Sequence, residues 1–87
     1  MIPINKIPFI GKNIEIVKSE NHSLEGIQGE IIDETKHQFT IATNHHRKHI
    51  DKRAINFKIQ YQGKTYMLNG KTINKTAEER IKTKVNL

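Results

Sequence analysis

The segment INFKIQY, residues 55–61, sets Ile55, Phe57, Ile59 and Tyr61 on one side of an extended chain. Asn56, Lys58 and Gln60 fall on the other. That period of two is the signature of a strand with one buried face. It recurs along the chain, in NIEIVK (13–18), IQGEIID (27–33), QFTIAT (38–43), a weaker RKHID (47–51) and TYML (65–68). The intervening turn signals include ETKH (34–37) and QGK (62–64). Repeated short strands joined by short polar links predict an all-β fold, a small antiparallel barrel of the Sm-like or SH3-like kind. Gly29, inside a strand pattern, reads as a bulge or bend that helps such a sheet curl.

The character changes after NGK (69–71), and TAEERIKTKV predicts a short C-terminal helix over 76–85. Thr76 and Glu79 have capping-box spacing, and acidic residues precede basic ones in the sense the helix dipole favours. Ala77, Ile81 and Val85 form a narrow apolar stripe suited to docking on the barrel. At the other end, MIPINKIPF carries prolines at 3 and 8 and cannot hold a long helix. We therefore divide the chain into a tail, 1–8, and a barrel domain, 9–87, that includes the helix. Ile2, Ile4, Ile7 and Phe9 are too apolar for a solvated tail and must pack on the domain or on a partner; we take them as candidates for contact with a protein partner, against the competing reading that the tail completes this chain's own barrel.

Eighty-seven residues make one small domain. A chain of this size buries only roughly 60% of its unfolded surface, so its core is thin. There is no cysteine, which excludes disulfides and thiolate zinc sites. No apolar run is long enough for a signal peptide or a membrane span, which places the chain in the cytoplasm.

Fifteen Lys and Arg against nine Asp and Glu leave a net charge of +6. The charge is segregated. Residues 13–35 sum to −5, whereas residues 36–57 sum to +4 and residues 58–87 to +5. Such a balance points to a polyanion, most commonly nucleic acid. The candidates for RNA contact are Lys12, Lys18, Lys36, Arg47, Lys48, Lys52, Arg53, Lys71, Arg80 and Lys82. Only five aromatic residues are present, mostly on core faces, so contact with backbone and shape is favoured over base stacking.

His45, His46 and His49 crowd the stretch TNHHRKHID, residues 43–51. A zinc site needs three or four converging ligands with a supporting shell, and a hairpin tip with no neighbouring Cys or patterned carboxylate does not supply them. The stretch reads instead as a polar hairpin whose basic residues meet phosphate, its histidines adding charge below about pH 6.5. No nucleophile–base pair or two-metal carboxylate set is visible either.

The strings FIGKNIEIVKS (9–19), SLEGIQGEIIDETKHQFTI (23–41), NGKTI (69–73) and AEERIK (77–82) resemble protein component 1 of archaeal ribonuclease P, an Sm-like-barrel family. The similarity spans roughly residues 9–84. It implies an RNA-binding subunit of the ribonucleoprotein that removes the 5′ leader of precursor tRNA. The resemblance also implies that catalysis belongs to the ribonuclease P RNA with magnesium, and that this chain binds no cofactor. It further implies a zinc-ribbon ribonuclease P subunit as partner, in company with other ribonuclease P proteins. Asp33 and Glu34, the nearest thing to a carboxylate pair, become turn residues. The family often begins with a longer helical extension, and the TNHHRK hairpin is not one of its motifs. The alternatives are a ribosomal or translation-associated RNA-binding barrel and, in a third class, a self-sufficient metal nuclease.

Overall fold

The computed structural model describes residues 4–82, excluding the side chain of Lys82. Six strands form one antiparallel sheet: β1 (Asn13–Ser19), β2 (Gln28–Glu34), β3 (Gln38–Thr43), β4 (His46–Asp51), β5 (Ile55–Tyr61) and β6 (Lys64–Asn69). Their spatial order is β4-β3-β2-β1-β5-β6. Sequence-adjacent β4 and β5 therefore stand four strands apart, about 19 Å across a flat sheet. Yet only a 3₁₀ turn, Lys52–Ala54, joins them. The chain from Asp51 to Ile55 reaches at most about 14 Å. The sheet must curl, and the expected small all-β barrel follows from this link.

Alternation fills the interior as expected. Ile14, Ile16, Ile31, Phe39, Ile41, Ile50, Ile55, Phe57 and Ile59 point inward and are buried. Phe9, Phe39 and Phe57 meet edge to face, with ring centroids 5.5–6.3 Å apart. Such pairs add to the gain from burial itself. Ile73 joins them from the 3₁₀ turn Gly70–Ile73. Gly70 sits so close to the Lys52 carbonyl that any side chain would collide with backbone, which lets the two 3₁₀ turns pack together.

Two irregularities differ from expectation. Gly29 pairs regularly with Ile14, and its missing side chain lets β2 lie against the Ala42 carbonyl of β3. One register shift falls in β1, between Ile16 and Lys18, and another falls in β2 beyond Gly29, between Ile31 and Asp33. One extra residue there reverses the alternation, so Asp33 faces outward opposite Thr40 while Glu34 turns inward opposite Phe39. Asp33 and Glu34 are thus strand residues and not turn residues.

The N-terminal segment corrects another expectation. Ile7 and Phe9 are buried in this chain's own core, and Ile4 packs against it from a 3₁₀ turn, Ile4–Lys6. The tail folds back and completes the barrel, so Ile7 and Phe9 are not available to a partner. Ile2 lies outside the described residues.

Helix α1 (Ala77–Lys82) begins with the predicted capping box. The Thr76 amide donates to Glu79 Oε1 and the Glu79 amide donates to Thr76 Oγ1, each at 3.0 Å. Residues 83–85 of the predicted helix lie outside the described residues. Its docking differs from the expected apolar stripe. Ile81 is exposed, and the buried side chain is Arg80.

Candidate nucleic-acid interface

Two of the expected RNA contacts, Lys52 and Arg80, are inside the protein. Lys52 Nζ donates to Glu34 Oε2 at 2.6 Å and to the Lys75 carbonyl at 2.8 Å. Arg80 Nη2 donates to Glu34 Oε1 at 2.7 Å, and its Nη1 donates to the carbonyls of Asn5 and Ile7. The guanidinium also lies over the Phe9 ring, 3.7 Å from its centroid. All three side chains are shielded from solvent. Burial pushes the Lys52 amine below its ordinary pKa, and the Glu34 carboxylate opposes that shift. These cations are committed to Glu34 and cannot meet phosphate, which corrects the reading of Lys52 and Arg80.

Lys18, Arg53 and Lys71 are brought together from three elements. They line an open groove of about 390 Å³ bounded by the end of β1, the 3₁₀ turn His22–Leu24, the Lys52–Ala54 turn and the start of the Gly70–Ile73 turn. The sequence folds this way for local reasons. Asn21 caps its turn by accepting from the Ser23 amide, and Asn69 accepts from the Lys71 amide at 2.9 Å, which presents Lys71 at the rim. Asp51 accepts from the Arg53 amide and grips its guanidinium through Nε and Nη2, at 3.0 and 2.9 Å. This fork holds the Asp51 carboxyl below its usual range and raises the Arg53 pKa.

The groove also holds Glu20, Glu25 and His22. Glu25 accepts from the Ser19 amide at 3.1 Å, and His22 Nδ1 lies 3.2 Å away. The Ser19 contact, aided by His22 and Lys18, keeps this carboxyl below its ordinary pKa. Lys18, Arg53 and Lys71 face Glu20 and Glu25 here, and Asp51 pairs with Arg53, so the charges balance overall and the groove presents its three exposed cations among carboxylates.

The other expected contacts lie apart from it. Arg47 and Lys48 stand on β4, where His46 through His49 are all exposed although successive strand side chains point to opposite faces. This end of the β3–β4 hairpin extends past the core. His49 Nδ1 lies 3.0 Å from Thr40 Oγ1. Among the described residues, no three His, Cys, Asp or Glu side chains are grouped so as to hold a metal ion. Lys36 is in the β2–β3 turn, close enough to Glu79 to lower its pKa, after the larger effect of the Thr76 amide. Lys12 sits 5.6 Å over the Tyr61 ring. The Lys82 side chain lies outside the described residues.

A barrel with this strand pattern hosts many activities, so fold alone does not assign one. The model of the family described as ribonuclease P/MRP, subunit p29, matches residues 4–83. The chain belongs to this family. Archaeal relatives agree along nearly its whole length. It is 42% identical over 74 residues to ribonuclease P protein component 1 of Archaeoglobus fulgidus, covering 85% of this chain and 72% of the relative. Against the protein of the same name from Nitrosopumilus maritimus, identity is 40% over 73 residues, 84% of this chain and 83% of the relative. The Methanosphaera stadtmanae protein of that name is 38% identical over 77 residues, 87% and 83% of the two chains. The p29 family match extends to residue 4, so the segment carrying Ile4, Ile7 and Phe9 is part of the family's common domain.

The buried charges Glu34, Lys52 and Arg80 escaped sequence reading, though some signals exist. Lys52 follows Ile50 by two residues and so continues the inward phase, and Arg80 follows Ala77 by three on the helix. Glu34 has no such signal, because the preceding bulge reverses its phase.

Proposed function

We propose that this chain is an RNA-binding protein subunit of ribonuclease P and that the groove of Lys18, Arg53 and Lys71 grips the RNA subunit through its phosphates. The observation carrying the reading is that a p29-family barrel gathers three exposed cations, from three elements, onto one groove. Family membership disfavours the ribosomal alternative. In this reading the chain works in the cytoplasm, beside a zinc-ribbon subunit and the other proteins of the ribonucleoprotein. The substrate of the whole assembly is precursor tRNA. Magnesium and the cleavage step belong to the RNA, and the chain supplies binding and shape. Arg47 and Lys48, on the extended hairpin, are a second point of attachment at a different angle.

The test is a salt titration of binding to ribonuclease P RNA. Each neutralised phosphate contributes roughly −0.7 to −0.9 to the slope of log K against log salt. Replacing Lys18, Arg53 and Lys71 together by Ala should flatten the slope by about two to three units. The melting temperature should change little, since all three side chains are exposed. Unchanged affinity and slope would remove the groove from the interface. Sequencing the RNA that co-purifies with the chain separates ribonuclease P RNA from ribosomal RNA.

A further inference from the structure

We propose that strand β4 is a wedge between two RNA backbones, with Arg47 and His49 meeting phosphates on one side of the hairpin and His46 and Lys48 meeting phosphates on the other. The inference rests on the RNA-binding reading above and deepens it, by naming the shape of RNA that the hairpin takes.

β4 is an edge of the sheet, paired only with β3. The pairing runs without a break from Gln38 opposite Asp51 to Thr43 opposite His46, so the end of the hairpin is a formed ribbon. Ile50 is buried and marks the inward phase. His46 and Lys48 share that phase, and Arg47 and His49 hold the opposite one. All four are exposed. In β5 one face is buried and the other polar, whereas here both faces reach solvent and both carry cations. No Asp or Glu lies between Thr43 and Ile50. Among the described residues, neither Arg47 nor Lys48 forms a salt bridge. The other edge, β6, differs: Tyr66 and Leu68 pack against the core, and Lys64 is its one charged residue.

Two carboxylates fix where the RNA must stop. Arg47 stands opposite Ala42 and Ala42 opposite Glu30, while His49 stands opposite Thr40 and Thr40 opposite Asp33. Glu30 and Asp33 are exposed two strands in from the edge, about 10 Å from the basic row. They repel phosphate from the middle of the sheet and confine it to the free edge. A strand of RNA lying flat across this face would meet them, and backbones flanking the edge would not. The Thr40 hydroxyl, 3.0 Å from His49 Nδ1, orients that ring and leaves Nε2 for a phosphate oxygen. A regular A-form helix offers no slot for such a ribbon, because its major groove is deep and narrow and its minor groove is shallow. Two backbones part widely enough where a helix is opened by an internal loop. The partner is therefore an interrupted helix, held by its phosphates and not by its bases.

The experiment uses the full chain and two RNA duplexes with the same number of phosphates, one uninterrupted and one opened by an internal loop. Binding is measured across a salt series for wild type, Arg47→Gln, Lys48→Gln and the double variant. On the opened duplex each single change should flatten the slope of log K against log salt by about one unit, and the double change by about two. On the uninterrupted duplex the double change should flatten it by no more than about one, since a single face reaches a backbone. Melting temperatures should match wild type, because both side chains are exposed. A double change no larger than either single change on the opened duplex overturns the proposal, because one face would then suffice. A loss of about two units on the uninterrupted duplex also overturns it. The groove is read separately, on ribonuclease P RNA. If the Lys18, Arg53 and Lys71 variant loses slope there and the Arg47, Lys48 variant does not, the wedge fails and the groove stands. The reverse result keeps the wedge and removes the groove, and no loss in either variant overturns both.

Discussion

Removing the negative charge of Glu34 while keeping its shape should cost this domain a large part of its stability. In Glu34→Gln the amide oxygen can accept from only one of the two cations, and the other meets the amide NH2 and keeps only its backbone partners, the Lys75 carbonyl for Lys52 or those of Asn5 and Ile7 for Arg80. Both cations stay buried without a counter-charge, and among the described residues Arg80 Nε already has no hydrogen-bond partner. Breaking a buried ion pair from one side costs about 3–5 kcal/mol. Domains of this kind have about 5–15 kcal/mol in total. At about 4–8 °C per kcal/mol, the melting temperature should fall by at least about 12 °C. The assay is urea unfolding by linear extrapolation, with a lower midpoint and an unchanged slope. A companion variant sharpens the reasoning. Replacing Glu34, Lys52 and Arg80 together by Leu, Met and Met removes every buried charge and should recover most of the loss. A Glu34→Gln protein within about 1 kcal/mol of wild type would refute this account, since it would mean that the cations are readily rehydrated.

Two further outcomes follow from features of the same barrel. Phe9→Ala should destabilise the isolated chain by about 3–5 kcal/mol, because Phe9 is fully buried against Phe39 and Phe57; a melting temperature close to wild type would return this residue to the surface. Glu25 should confer an acid dependence. Its folded pKa lies below the ordinary 4.5, chiefly through the Ser19 amide. Its stabilisation is therefore complete above that value and is lost as pH falls through the lowered one. The difference in urea midpoint between wild type and Glu25→Gln should shrink as the pH drops from about 5 to about 3, and a constant difference would count against the Ser19 contact.

Strands were legible in proportion to how well their alternation survives in the fold. β3 and β5 have the bounds read from QFTIAT and INFKIQY, because each strand keeps one uninterrupted buried face. β4 was weaker in sequence because His46, Arg47, Lys48 and His49 are solvated on both faces, and only Ile50 marks the core side. Of the groove, the cations Lys18, Arg53 and Lys71 were named in advance, but nothing in their spacing says that they converge. That depends on the curl of the sheet and on the caps at Asn21, Asn69 and Asp51. Residue type misled where charge is buried. Lys and Arg are seldom inside a protein, so Lys52 and Arg80 were read as surface groups. Their burial depends on a carboxylate that only a bulge turns inward. The tail was misread for a related reason: an apolar segment can cover a partner or its own barrel, and local sequence does not choose between them.

The Arg80 contacts have a consequence for how this chain comes to be folded during its synthesis. The guanidinium bonds to carbonyls 75 and 73 residues earlier in the chain, and it is the second cation on Glu34. Until residue 80 has been made, the Asn5–Phe9 segment lacks its anchor and Phe9 lacks the cation against its ring. The hairpins of β2–β3, β3–β4 and β5–β6 need only neighbouring sequence and can form early, but the joining of the two ends must wait. The growing chain therefore carries an apolar N-terminal segment that is not yet anchored through most of its translation, the stage at which exposed apolar chain is most prone to aggregate. Helix α1 is thus the element that locks the Asn5–Phe9 segment in place.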